Sequence, residues 1–271
     1  MIIEIGQRAS WPVRGLLIDI DGVVYQGGAL IPGSAETVVW LQREGIPHLF
    51  LTNTTSRPRA AIVEKLQALG VDVSAQDVLT PVIAANHWIR QRGLDPVALF
   101  VAAATATDFD VPGVLPADVE QGAAAVVLGD LGEAWDFPTL NRAFRLLMDN
   151  PEAPLIALGM TRYWRADDGL RLDVAPFVAA LQQATGRQPV VLGKPSPDFF
   201  RQAADVCGLP CEQLIMVGDD IRVDVAGAQA AGIRGIQVRT GKFSPSDLDG
   251  RVVPDAVVPR FADLRDWWGR S

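Results

Sequence analysis

Short apolar runs alternate with amphipathic stretches along nearly all of this 271-residue chain, which restricts it to parallel strands joined by helices. Residues 16–20 and 48–52 supply the first two strands. Between them Ser34 is placed to cap a helix that runs to about Glu44 and stops at Gly45. After the second strand, Ser56 and Pro58 open another helix, with Ile62, Leu66 and Leu69 at i, i+4 and i+7 and Gly70 at its end. From residue 81 to 188 the texture changes. Strands at 97–102, 123–128 and 155–158 and helices at 140–148 and Val174–Thr185 read as a second, smaller α/β unit. The first texture then resumes: a strand at 190–192, a helix over Pro197–Cys207 ended by Gly208, a strand at 214–217, a helix near 223–231, and strands at 236–238 and Ala256–Val258. These later elements are expected to complete the first sheet. The fold expected is α/β, a Rossmann-like parallel-sheet core made of residues 1–80 and 189–271 with an α/β unit inserted at 81–188.

Open sheets of this kind bind ligands just beyond the carboxyl ends of their strands, so the polar residues that follow each strand carry the functional information. The first strand runs into Asp19-Ile20-Asp21-Gly22, where side chains two apart on extended backbone face the same way. One carboxylate can attack while the other carries a proton, and Gly22 lets the backbone turn away without a Cβ in the route. Thr52-Asn53 follows the second strand, Gly193-Lys194-Pro195-Ser196-Pro197 a third, and Gly218-Asp219-Asp220 a fourth, with Asp224 a turn onward. Metal-assisted phosphoryl transfer needs a nucleophile, a proton carrier, donors for the non-bridging oxygens and positive charge among the acids, and these four sets contain them all. Each set alone has a plainer reading: Thr52-Asn53 as a turn cap, Lys194 as a solvated loop lysine, the three later aspartates as acids at a helix amino end. Their order, each at a strand end, is what favours one site.

Composition excludes several classes. A formal net charge of −8 disfavours nucleic acid and anionic lipid surfaces as partners, and means a cation must help hold any phosphate. Cys207 and Cys211 sit four apart beside Pro210, with no other cysteine and only His48 and His87 in the chain to complete a metal site, neither of them near in sequence, so both read as buried or incidental thiols. There is no Gly-x-Ser-x-Gly stretch, and Gly193-Lys194 lacks the spacing and the following hydroxyl of a P-loop. No segment offers the ~18 uninterrupted apolar residues of a membrane span, and residues 1–11 lack the basic start and apolar run of a signal peptide, so a cytoplasmic protein with no membrane partner is expected.

In its four ordered motifs, at 19–24, Thr52-Asn53, Lys194 and 218–224, the sequence resembles the haloacid dehalogenase (HAD) superfamily of aspartyl-phosphate phosphatases. The long insertion, with Leu51-Thr52-Asn53-Thr54-Thr55 and Gly193-Lys194-Pro195-Ser196-Pro197, resembles the class IIA group with a large α/β cap, typified by p-nitrophenyl phosphatases. Residues 170–174 and 237–243 resemble that group's phospholysine phosphohistidine inorganic pyrophosphate phosphatase branch. The resemblance implies that Asp19 takes the phosphoryl group and that Asp21 protonates the leaving oxygen and then activates water. It implies Mg²⁺ on the Asp19 carboxylate, the main-chain carbonyl of Asp21 and Asp219, with Asp224 orienting the ligand shell and Asp220 either touching the metal or bracing Lys194. Thr52 and the backbone at Asn53 would bond the phosphoryl oxygens, and Lys194 would neutralise the phosphorylated aspartate.

The insertion, as the family's cap, would choose the leaving group of a phosphorylated small-molecule substrate. Arg165, in Tyr163-Trp164-Arg165-Ala166-Asp167-Asp168-Gly169, is the candidate contact there, the plainer reading being a surface turn with one aromatic anchor. Gly129-Asp130-Leu131-Gly132 would line the same mouth or simply make a turn. Related capped phosphatases imply a homodimer through the cap, with Trp135 and Phe137 as the apolar contact. Two alternatives stay open: a phosphotransferase on the same scaffold, and a non-catalytic phosphate-sensing module that is merely phosphorylated. A dehalogenase is disfavoured, since its leaving group needs no proton and Asp21 is there to give one.

Overall fold

The computed structural model describes residues 12–166 and 169–269; Asp167 and Asp168 of the candidate contact loop lie outside the described residues. In chain order the elements are β1 (Gly15–Asp19), a short hairpin of β2 (Tyr25–Gln26) and β3 (Ala29–Leu30), α1 (Ser34–Arg43), β4 (His48–Leu51), α2 (Arg59–Ala68), β5 (Val78–Leu79) and α3 (Pro81–Gln91). There follow β6 (Val97–Phe100), α4 (Ala103–Ala106), β7 (Ala125–Leu128), α5 (Phe137–Asp149), β8 (Leu155–Ala157), β9 (Tyr163–Ala166), β10 (Gly169–Leu172), α6 (Val174–Thr185) and β11 (Val190–Val191). The chain ends with α7 (Pro197–Cys207), β12 (Leu214–Gly218), α8 (Ala226–Ala230), β13 (Arg234–Val238), β14 (Ala256–Val258) and α9 (Leu264–Gly269). The described residues form two compact units: one within 12–52, 59–79 and 194–269, the other within 53–58, 80–166 and 169–193.

The first unit is built on a six-stranded sheet in the order β14-β13-β12-β1-β4-β5, parallel throughout. All five residues of β1 and all five of β12 are buried, as expected of central strands covered on both faces. From β1 the chain moves to β4 on one side and returns later to β12 on the other, so a topological switch point falls at the carboxyl end of β1. Phe50, Phe261, Trp267 and Leu41 belong to the apolar cluster that fills this unit.

Ser34 does not cap α1. The cap position is Gly33, at φ 88°, and the buried Ser34 hydroxyl instead donates to the Val23 carbonyl at 3.4 Å. The helix expected near 223–231 divides into a π-helical turn, Ile221–Val225, and the short α8.

The second unit has its own four-stranded parallel sheet, ordered β11-β8-β7-β6, and its own core of residues such as Val126, Leu146, Leu155 and Val178. This corrects the expectation for residues 190–192: β11 pairs with β8 and so belongs to the second sheet, not the first. Of the stretch read as a contact loop, the described residues lie in strands: β9 runs antiparallel to β10, with Arg165 opposite Leu170. Trp135 is partly buried against the core of this unit. Its ring stacks between Phe100, centroids 6.0 Å apart, and Phe177, 4.6 Å apart, whereas Phe137 is 78% exposed.

One side chain closes the end of α5. The half-buried Arg187 guanidinium donates to the Leu147 carbonyl in the last turn of α5, which has no intrahelical partner, and to the carbonyls of Asn150 and Ala153 in the turn that follows. Arg187→Ala is expected to lower unfolding free energy by about 2 kcal/mol, because carbonyls would lose charge-assisted donors at a partly buried helix end. Urea melts of parent and variant measure it; a change under a few tenths of that would show that water replaces the arginine at no cost.

Candidate active site

Strand register gathers the first elements of the site. Asp19 is the last residue of β1 and pairs with Leu51, so Thr52 follows on the adjacent strand end; on the other side Ile18 pairs with Val217, which sets Gly218 and Asp219 beside it. Asp19, Thr52, Asp219 and Asp224 are all buried, and Asp21 is exposed. The Thr52 amide donates to the Leu79 carbonyl at 3.2 Å, which fixes the backbone of the second motif against β5.

The centre of the cluster is a lysine shared by two acids. Lys194 Nζ donates to Asp19 Oδ1 at 2.5 Å and to Asp224 Oδ1 at 2.8 Å, with only 4% of the Lys194 side chain exposed. Lys194 reaches this position three residues after β11, so it comes from the far side of the insertion and not from the end of a first-sheet strand. Burial disfavours its charge, but Asp19 and Asp224 outweigh burial and hold the ammonium firmly protonated. Asp19 has the opposite balance. Burial raises its carboxyl above the usual range, Lys194 pulls it down, Asp224 and Asp219 push it up again, and the outcome is a value pushed up to about 7.

Asp219 is held from both sides. Its main-chain carbonyl accepts from Gln237 Nε2 at 2.5 Å and its Oδ2 accepts from the Lys242 amide at 2.8 Å. That oxygen lies in a cradle that only glycines permit: a Cβ on Gly22, at φ 83°, would come within 2.0 Å of it, and one on Gly241, at φ 64°, within 1.9 Å. The space opened by Gly22 thus receives the Asp219 carboxylate.

Asp220 is engaged away from Lys194. Asp220 Oδ1 accepts from the amides of Arg222 and Val223 and caps the π-helical turn, while Oδ2 faces Lys242 Nζ at 3.4 Å. It is Asp224 that braces Lys194, and its second oxygen accepts from the Asp220 amide at 3.1 Å. Sequence reasoning missed Lys242 and Gln237 as parts of the site. The signal was available in Thr240-Gly241-Lys242, a hydroxyl, a glycine and a cation directly after an apolar strand of the same sheet.

Three carboxylate oxygens, one each from Asp19, Asp219 and Asp224, lie within 4.8 Å of one another. Three buried acids with one buried ammonium leave an excess of negative charge in a space poorly reached by water, and a divalent ion with a taste for hard oxygen ligands fits both the charge and the donor set. Asp224 has both oxygens engaged by Lys194 and Asp220, which suits it to orient the cluster. Asn53 and Arg165 belong to the second unit; the Arg165 backbone lies in β9 and its side chain is outside the described residues.

Residues 16–115 match the model of the haloacid dehalogenase-like hydrolases, and residues 191–264 match a second, HAD-hydrolase-like model. The chain is 42% identical over 259 residues to the phospholysine phosphohistidine inorganic pyrophosphate phosphatase of Homo sapiens, covering 94% of this chain and 93% of that protein. The chain belongs to the haloacid dehalogenase-like hydrolase family. The same phosphatase from Bos taurus is 43% identical over 266 residues, covering 96% of each. Among solved structures, p-nitrophenyl phosphatase from Archaeoglobus fulgidus superposes with a TM-score of 0.81 at 28% identity, over 94% of this chain and 98% of that one. The chain is therefore a phosphatase of this family, which removes the ground for a non-catalytic phosphate sensor. Among the described residues no helix is long and apolar enough to cross a membrane.

Proposed function

We propose that this protein is a Mg²⁺-dependent phosphatase that hydrolyses phosphate esters, phosphoramidates or pyrophosphate through a phosphorylated Asp19. The observation that carries the proposal is the buried Lys194 ammonium bonded at once to Asp19 and Asp224, with Asp219 close by. A buried lysine at hydrogen-bond distance from an aspartate at a strand end is costly unless charge must be managed there. Magnesium held by the Asp19 and Asp219 carboxylates and the Asp21 main-chain carbonyl would supply the positive charge that a phosphoryl group needs beside these acids.

The protein's own groups do the rest. Asp19 presents a carboxylate oxygen to the phosphorus. Asp21, exposed on the same strand end, gives its proton to the departing oxygen and then takes one from water as the acyl phosphate is split. Thr52 and the Asn53 backbone hold the phosphoryl oxygens, and Lys194 offsets the charge that collects on Asp19. The insertion, residues 81–188, chooses the leaving group, with Arg165 as its contact; the substrates are phosphorylated small molecules of the cytoplasm. The relatives named for phospholysine, phosphohistidine and pyrophosphate support this substrate range.

Purified protein is expected to release inorganic phosphate from p-nitrophenyl phosphate with magnesium, and a chelator should reduce the rate at least about a hundredfold, reversibly. Turnover indifferent to chelation would remove the metal from the mechanism. Transfer of the phosphoryl group to an added alcohol in preference to water would make the protein a phosphotransferase.

A further inference from the structure

Lys242 has no role in the chemistry above, yet its backbone is fastened to the site at three points. Thr240 Oγ1 donates to the Gly22 carbonyl at 2.5 Å, Gly241 packs against Gly22 and Asp219 where no side chain would fit, and the Lys242 amide donates to Asp219 Oδ2 at 2.8 Å. The side chain is held far more loosely: it is 71% exposed, and its ammonium faces Asp220 Oδ2 at 3.4 Å. Such a long, solvated contact contributes little and is readily exchanged for a better anion. Of the two lysines at the site, Lys194 is committed to buried partners, whereas Lys242 can turn toward charge arriving from solvent.

Resting on the phosphatase reading above, we infer that Lys242 recognises a leaving group that is itself an anion, so that the enzyme favours a diphosphate, inorganic pyrophosphate in the simplest case, over the phosphoramidate of a cationic amine. In that reaction an Asp19 oxygen bonds to one phosphorus as the bridging P–O bond breaks. The departing phosphate keeps the bonding pair and takes a proton from Asp21. Water then gives a proton back to Asp21 as its oxygen attacks the acyl phosphate, so that one pyrophosphate and one water become two phosphates. An aryl ester has no second phosphate to gain from the lysine, and a cationic amine is repelled by it.

The test compares kcat/KM for pyrophosphate and for p-nitrophenyl phosphate in the full chain with magnesium, for the parent, K242M, K242R and D220N. K242M is expected to lower the pyrophosphate value at least about tenfold more than the aryl ester value, K242R to keep the parental ratio within about threefold, and D220N to raise it about twofold or more. The asparagine still caps the turn but releases the ammonium. Parallel losses on both substrates in K242M, or a parent that cleaves the aryl ester and not pyrophosphate, overturn the role of Lys242 and leave the phosphatase reading standing. Should K242M fail to fold, an unchanged ratio in D220N overturns it equally. Absence of magnesium-dependent hydrolysis of either substrate by the parent defeats the phosphatase reading, and this inference with it.

Discussion

Asp19→Asn is expected to lower kcat by at least about 10⁴-fold on every substrate, because the amide removes the attacking charge while keeping the volume and the polar contact to Lys194. Acid-quenched parent incubated with labelled substrate should carry the phosphoryl group on Asp19, and the variant should carry none. A variant that turns over at near parental rates would refute the covalent route. The same substitution has an opposite effect on stability. Burial, opposed by Lys194 and reinforced by Asp224, raises the Asp19 carboxyl from 3.8 to about 7, so the folded chain favours its protonated form. That contribution to stability is fully present below pH 3.8 and is lost as pH rises through about 7. Asparagine never ionises. Metal-free D19N should therefore melt above the metal-free parent at pH 8, with the gap closing toward pH 4, and magnesium should narrow the gap at pH 8 by favouring the parent's anion. A gap independent of pH would mean that Asp19 ionises in the folded chain as it does in the unfolded one.

How much of this was legible beforehand depended on whether local sequence carried the signal. The buried run before Asp19, the helix Val174–Thr185 and the helix opened by Pro197 and closed by Gly208 announce themselves through periodicity and punctuation, and the structure has the two helices at those bounds. The partner of a strand is not local information. Val190 and Val191 could join either sheet on their sequence alone, and pairing with β8 was decided by packing at long range. In β10 the exposed Leu170 and Leu172 alternate with half-buried Gly169 and Arg171, so the sequence there carries no apolar face turned to a core from which a strand could be read. Asp19, Lys194, Asp219 and Asp224 could be grouped in advance because each follows an apolar run or opens a helix. What each touches could not: Asp220 and Asp224 are four residues apart on a π-helical turn, and only its geometry decides that Asp224 meets Lys194 while Asp220 meets Lys242.

Lys194→Met should be the most damaging single change to the folded state. Only 4% of the lysine side chain and 1% of Asp224 are exposed, so removing the ammonium leaves two carboxylates facing one another with little water to separate them. Breaking a buried pair in this way costs about 3–5 kcal/mol, a large share of the roughly 5–15 kcal/mol that holds a domain together, and should lower the melting temperature by roughly 10 °C. Lost activity in that variant alone would not separate catalysis from folding. The double variant K194M/D224N does, because it removes one charge of each sign and restores the local balance. It should recover most of the lost stability while remaining at least about a hundredfold below the parent in kcat, since the ammonium that helps the metal offset charge on a phosphorylated Asp19 is gone. If the double variant regained both stability and turnover, Lys194 would be a structural counter-ion alone, and the neutralising charge for the phosphoryl group would have to come entirely from the metal.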